Sequence, residues 1–461
     1  MNPAQDVVEA GLTAGAARGA DGCLVLVDEA SHADVRFAVN TTTTNGVRRD
    51  RTVSVVVMVG TAVGLARRSG VVDVDEMVAA ALLDAQSAPA AEDAFALVDG
   101  GSSGGMDFGS APIETDLGAL SGVLSGLGGA FERARQRDVV LAGFAEFGIS
   151  TLYLGSSTGL RVAHSQPTGA INLVGRSLDG ARSVWTGMGS EDLASVSFAS
   201  LEDELWRRLE WSAKSVALEA GRYEVILPPS GVADLMGSLF FYGMGGQEAE
   251  DGRTVFSAAD GGARVGDQLS SVPFTMYSDP FEPGLECLPF VAAASSDSET
   301  SVFDNGLPVA RTDWIRDGRL TQLRYHRAGA ARSGVAAAPF IDNLVLRAPE
   351  VGAGSVDDMV ARTERGLLLT CLWYIREVDP STLLLTGLTR DGVYVVEDGK
   401  VVGAANNFRF NESPVDLLSR ATEVGTPERA LGRELGEYLN RAIMPAMRIP
   451  DFNMSSVSQA S

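Results

Sequence analysis

The chain holds three histidines, His32, His164 and His326, each far from the others in sequence. Zinc sites are commonly built from histidine and cysteine at short spacings such as H-E-x-x-H, and no such pair occurs here. His164 and His326 each end a strand-like run and read as structural residues with satisfied hydrogen bonds. Cys23, Cys287 and Cys371 lie beside apolar neighbours at no ligand-like spacing, so they read as small buried hydrophobes. Their odd, low count excludes a disulfide framework and fits a reducing compartment. There is no G-x-S-x-G elbow and no P-loop lysine motif, which removes the commonest hydrolase and nucleotide-binding signatures. Glu248, Glu250 and Asp251, with Asp279, Glu282 and Glu286, offer hard oxygen ligands for magnesium or calcium. With 60 acidic residues against 37 basic ones, they read first as solvated loop charges.

The densest group of hydrogen-bonding side chains falls in GAANNFRFNESPVDLL (403–418). Asn406, Asn407, Arg409, Asn411 and Glu412 stand close together there, between apolar runs. Such crowding marks a site or an interface. The residues that follow have a simpler reading: Ser413 at the N-cap, Pro414 at the first helical position and Asp416 in the first turn open a helix.

An α+β framework has to position these groups. A helical pattern at 6–18 precedes strand-like runs at 23–29, 33–40, 51–60 and 61–68, with TTTTNG (41–46) supplying an Asn-Gly hairpin turn. Amphipathic helices follow at 74–86 and, across a small-residue loop at 100–112, at 115–135. Strands are expected at 138–147, 150–155, 159–164, 169–175 and 181–187, then a helix at 201–217 with Leu201, Leu205 and Leu209 on one stripe. A boundary near Gly221 divides the chain into an N-terminal α+β domain (1–220, with a sub-boundary near 100–112) and a C-terminal domain (221–461). The second domain opens with a strand at 222–229 and an apolar helix at 231–243, before a glycine-rich stretch at 243–271. Asp-Gly turns inside 312–326 and 392–408 indicate hairpins, so this domain is dominated by antiparallel sheet. The helix at 231–243 is too apolar for a solvent-exposed one. It reads either as a groove wall beside a mobile flap or as a core helix and its connection.

At 461 residues the chain is long enough for two or three domains. Its apolar runs are too short to span a bilayer, and the first residues lack the basic start and apolar core of a signal peptide. A cytoplasmic location is the expectation. The net charge of −23 argues against sequence-independent nucleic-acid binding, which depends on phosphate neutralisation.

Taken together, GLTRDGVYVVEDGKVVGAANNFRFNESPVDLLSRA (387–421), LPPSGVADLMGSL (227–239) and LPVARTDWIRDGRLTQLRYHRAGAAR (307–332) resemble the TldD/PmbA family, and within it the TldE-like (PmbA-like) branch. The likeness extends over most of the chain and is weakest across 86–135. It implies the family's fold, and it implies a comparison with the TldD branch, which resembles a zinc metallopeptidase with H-E-x-x-x-H on the first helix of its C-terminal domain. Laid over this chain, that motif falls on Gly237, Ser238 and Tyr242: glycine and tyrosine at the histidine positions, serine at the glutamate. No histidine or glutamate occurs anywhere in 225–246. The resemblance therefore implies a chain without catalytic or metal-binding residues of its own. It would be paired as a heterodimer with a TldD-like subunit that supplies zinc, and would act on unfolded or leader peptides in the cytoplasm. The family's historical label, modulator of DNA gyrase, does not imply DNA binding at this charge.

On that reading Asn406, Asn407, Arg409, Asn411 and Glu412 hold a peptide backbone or the partner chain. Asparagine amides offer both donor and acceptor to an extended peptide, and Arg409 and Glu412 offer charge-assisted bonds. Two other readings stand beside it: an autonomous hydrolase with an unrecognised site, and a homodimeric peptide-binding protein without peptidase activity.

Overall fold

The computed structural model describes residues 2–100, 106–349 and 354–458. Six long strands rich in valine and alternating side chains form one antiparallel sheet: β1 (Gly22–Ala38), β2 (Thr41–Val59), β3 (Ala62–Ser69), β4 (Val139–Ser156), β5 (Arg161–Ser177) and β6 (Ser183–Ser190), in the order β3-β2-β1-β4-β5-β6. Helices cover one face. Val8 and Leu12 of α1 (Ala4–Ala17) and Met77 and Val78 of α2 (Val74–Ser87) pack on Val25, Val27, Val53 and Val55. Leu127 and Phe131 of α3 (Ser121–Gln136) and Leu201 and Leu205 of α4 (Phe198–Trp211) pack on Leu141, Ala145, Ile171 and Leu173. The opposite face meets the C-terminal half, where Leu24, Leu26, Leu154 and Val162 bury Phe290, Val302 and Phe303.

Three expected strand pairs are single strands. Residues 23–29 and 33–38 lie in β1, 139–147 and 150–155 in β4, and 161–164 and 169–175 in β5. The intervening residues are kept in register by neighbouring strands on both sides. Gly148 has a specific use, because a Cβ there would lie 2.4 Å from Nδ1 of His32, directly opposite. The first hairpin turn also moves. Asn45 and Gly46 are strand residues, and the chain reverses at Val39 and Asn40, both with positive φ (52° and 57°). The Asn40 amide accounts for this: it donates to the Val139 carbonyl (2.7 Å) and accepts from the Leu141 N–H (2.6 Å). It thereby fixes the turn to the start of β4.

The C-terminal half contains a large mixed sheet and a six-stranded one. In the first, the strands Gly221–Leu227, Phe408–Glu412 and Met447–Val457 lie near the centre, and Ser215–Val216 is an edge. The helix expected to run to 217 therefore stops at Trp211. Both sheets and the helix α5 (Pro229–Ser238) share one core that includes Leu227, Leu235, Trp314, Leu344, Leu367 and Ile449. The apolar segment expected as one helix over 231–243 is α5 followed by a π turn, Leu239–Gly243. The stretch at 243–271 holds the short helix Gly246–Glu250 and otherwise turns, and the return strand after Asp317–Gly318 is only Arg319–Leu320. Residues 101–105 of the expected small-residue loop lie outside the described residues. No helix among the described residues is long and apolar enough to cross a membrane.

Left-handed backbone costs a β-branched residue roughly 1–2 kcal/mol, and the Val39 side chain is exposed, so it regains little by packing. Val39→Gly is expected to raise stability by about 1 kcal/mol, read as a higher urea midpoint at unchanged slope.

Candidate functional site

Between Glu224 and Glu248 the only charged residue is Asp234, inside an otherwise apolar helix. Pro229 at the first helical position starts α5, and every residue of the helix except Ser230 is buried. A carboxyl group so placed must find donors. Asp234 finds three, the backbone N–H groups of Arg433 (2.9 Å), Glu434 (3.0 Å) and Leu435 (2.9 Å). Burial pushes its pKa up to about 7, against the pull of those bonds. The clamp fixes the segment 431–440 alongside α5.

That packing decides what the family's metal motif can do in this chain. A Cβ on Gly237 would lie 2.9 Å from Leu435 Cδ1 and 3.1 Å from Leu439 Cδ2, so leucine side chains fill the space beside it. Ser238 is fully buried, and its hydroxyl donates to the Asp234 carbonyl (2.8 Å) one turn back. Tyr242, in the π turn, is half exposed and within electrostatic reach of Arg376. Glycine offers no donor, the serine hydroxyl is already engaged, and the neighbouring side chains are aliphatic. These positions do not fit zinc. Among the described residues no group of three or more His, Cys, Asp or Glu side chains could hold a metal ion.

The clamped segment forms one wall of a cleft of about 580 Å³ whose opposite wall is β4 and β5, through Phe144, Glu146 and Asn172. Arg433 lies flat over the Trp373 ring (3.7 Å). Glu434 accepts from the Tyr374 N–H (2.9 Å) and pairs with Arg376 (2.6 Å). Tyr374 is held at φ 51° and stays half exposed. Glu146 faces this space with its pKa raised, first by burial and then by the charge of Glu437. The cleft thus presents aromatic rings, carboxylates and the side-chain amides of Asn172 and Asn440 to an extended chain.

Asn406 to Glu412 lie elsewhere and point several ways. Asn406 and Asn407 line a separate groove of about 320 Å³ with Arg176 and Arg182. The side-chain Oδ1 of Asn406 accepts from the Leu218 N–H (2.7 Å). Arg409 is exposed and reaches Thr386 (3.2 Å), and the buried Oδ1 of Asn411 has no partner among the described residues. Glu412 is buried, accepting from the Asn453 N–H (2.6 Å) and from Arg420. Period-2 alternation puts Glu412 on the face of Phe408 and Phe410, so its inward position was readable. Ser413 occupies the N-cap of Pro414–Arg420, but its hydroxyl donates to the Thr382 carbonyl (2.8 Å) instead of capping the helix.

The remaining candidates have structural partners. His326 caps Arg327–Ser333 through the Gly329 N–H, and His164 bonds Gln166. All three cysteines are buried. Glu250 accepts from Tyr325, Asp251 pairs with Arg253, Asp279 accepts from the Phe281 N–H, Glu282 pairs with Arg347, and Glu286 accepts from the Gly284 N–H. Glu248 Oε2 alone among this set is buried without a partner among the described residues. Asp234 and the Trp373, Arg376, Arg433 and Glu434 group went unnoticed in the sequence. A lone aspartate in a 23-residue stretch (225–247) otherwise without charge was the available signal for Asp234, and nothing local marked the rest.

Replacing Asp234 by alanine strands three buried N–H groups and is expected to cost roughly 3 kcal/mol. A raised folded-state pKa means that this carboxyl's stabilising effect is full below its unfolded value, near 3.9, and is lost as pH rises to about 7. Asp234→Asn does not titrate. The stability advantage of wild type over Asp234→Asn should therefore fall between about pH 4 and 7, by at most about 1.4 kcal/mol per unit, and level off above. Urea unfolding of both proteins across that range checks this, and a constant difference would contradict it.

The model of the PmbA/TldA metallopeptidase C-terminal domain matches residues 220–456. No curated protein sequence matches this chain. Among solved structures, TldE from Thermococcus kodakarensis superposes with a TM-score of 0.79 at 18% identity, covering 97% of this chain and 99% of that one. Two proteins described as modulators of DNA gyrase superpose at TM-score 0.77 and 14% identity. One is from Thermotoga maritima, covering 97% of this chain and 99% of that one, and the other from Bacteroides thetaiotaomicron, covering 99% and 100%. At such identities the likeness speaks for the fold, which is the mixed, largely antiparallel α+β fold of these neighbours. The family model covers the half of the chain that carries α5 and the clamped segment, and on that match the chain belongs to the PmbA/TldD family.

Proposed function

We propose that this chain is the noncatalytic, TldE-like subunit of a cytoplasmic TldD/TldE-type zinc metallopeptidase. It would bind peptide substrate, unfolded or leader-like, together with a TldD-like chain that carries the zinc. The observation that supports this most is the leucine-filled space beside Gly237, where the TldD branch has a metal ligand. Side chains that would ligate are absent, and so is the room for them. The Trp373–Arg433–Glu434 cleft offers stacking surfaces and hydrogen-bonding groups to an extended chain. Asn406, Asn407, Arg409 and Asn411 form a second candidate surface for peptide or partner, with Glu412 behind it as a support.

Co-expression with a TldD-like chain from the same source tests the reading. A co-purifying pair should hydrolyse peptides in a chelator-sensitive way, while this chain alone should not. Arg409→Ala in the pair should lower peptide turnover by up to about tenfold with an unchanged melting temperature. Failure to co-purify, with no gain in hydrolysis, would leave the homodimeric peptide-binding protein as the better description.

A further inference from the structure

A second interdomain cavity, of about 430 Å³, lies on the same face of the N-terminal sheet as the Trp373 cleft but is walled by residues 288–304 and 339–342. Its size is within the range of roughly 300–1,000 Å³ typical of small-ligand pockets. Leu26, Leu152, Phe290 and Phe340 supply apolar walls, and Asp28, Glu299, Asp304 and Asp342 supply carboxylates. Three of those acids are already matched: Glu299 with Arg324 (2.6 Å), Asp304 with Arg327 (2.7 Å) and Asp342 with Arg441 (2.8 Å). Asp28 is different. It accepts from the Ser150 hydroxyl and is in no ion pair among the described residues. The only arginine lining the cavity is Arg67, on an exposed position of β3 and likewise in no ion pair among the described residues. His164, whose pKa is lowered by burial, adds no competing positive charge at neutral pH.

We propose that this cavity binds a free α-amino group carried by an apolar residue. The ammonium sits on Asp28 and Ser150, the side chain rests against Leu152 and Phe290, and Arg67 receives a carboxylate where the ligand has one. The charges match this occupant. An unpaired carboxylate set among apolar walls favours a cation with an apolar body, and the other acids are neutralised from behind by arginines. Two sources share this chemistry, the amino end of a peptide and a free amino acid. The proposal deepens the peptide-binding reading above by assigning one end of the peptide.

Titration calorimetry on the purified chain tests it, with leucyl-alanine amide, its N-acetyl derivative and free leucine as probes. The amide should bind, and acetylation should weaken it by at least about tenfold, because a charge-assisted bond is removed. Asp28→Asn, which keeps the shape and the Ser150 contact, should produce a similar loss at an unchanged melting temperature. Arg67→Ala should spare the amide and weaken only leucine. Tight binding of leucine with the same Asp28 dependence supports ammonium recognition and names the free amino acid as its source. Equal binding of the acetylated and free amide, or no binding of any probe, overturns the proposal. Because none of this uses the TldD-like chain, a failed co-purification leaves it standing, and a failed calorimetry experiment leaves the heterodimer reading intact.

Discussion

The C-terminal half of this protein depends on one buried carboxylate. Asp234 joins α5 to a segment 199 residues further along the chain through hydrogen bonds to consecutive backbone N–H groups. Desolvating a carboxyl group completely is costly, and burial is the main reason its pKa is raised. What offsets it is local geometry: the backbone N–H groups of residues 433–435 converge on one side chain and are all three satisfied there. Removing the acid would free the segment that carries Leu435, Leu439, Arg433 and Glu434. The filling of the space at Gly237 and the cleft wall would both be lost together.

The aliphatic filling beside Gly237 and the wall of the Trp373 cleft have a common cause. The leucines that replace room for a ligand at Gly237 lie on the same short segment as Arg433 and Glu434, which face the cleft. A histidine placed at 237 would collide with that packing before it met a metal. Building a metal site there would thus require changes on both α5 and the clamped segment, so single substitutions on α5 are not expected to create one. The same segment leans on β4 and β5 across the cleft, so the N-terminal sheet takes part in the site as well as supporting it.

Much of the framework was legible in the sequence. Period-2 and helical patterns located the N-terminal strands and helices, and the Asp-Gly turn at 398–399 was placed correctly. Boundaries failed where distant contacts overruled local signals. Asn40, tied to β4, outcompeted Asn45-Gly46 as a turn, and Gly148 stayed in its strand to make room for His32. The polar cluster at 406–412 looked continuous in sequence, yet alternation in a strand turned Glu412 inward and Arg409 outward. The cleft was not legible, because Trp373, Arg433 and Glu146 come from separate parts of the chain and meet only in the folded structure. The family resemblance located α5, whereas the leucine packing that gives Gly237 its meaning is visible only in three dimensions.

The central claim, that this chain binds peptide within a peptidase while holding no metal itself, is tested most directly by zinc content. Metal analysis of the purified chain should find less than about one zinc per ten chains, and the complex with a TldD-like partner about one per heterodimer. About one zinc per chain in the isolated protein, accompanied by chelator-sensitive hydrolysis, would contradict the account.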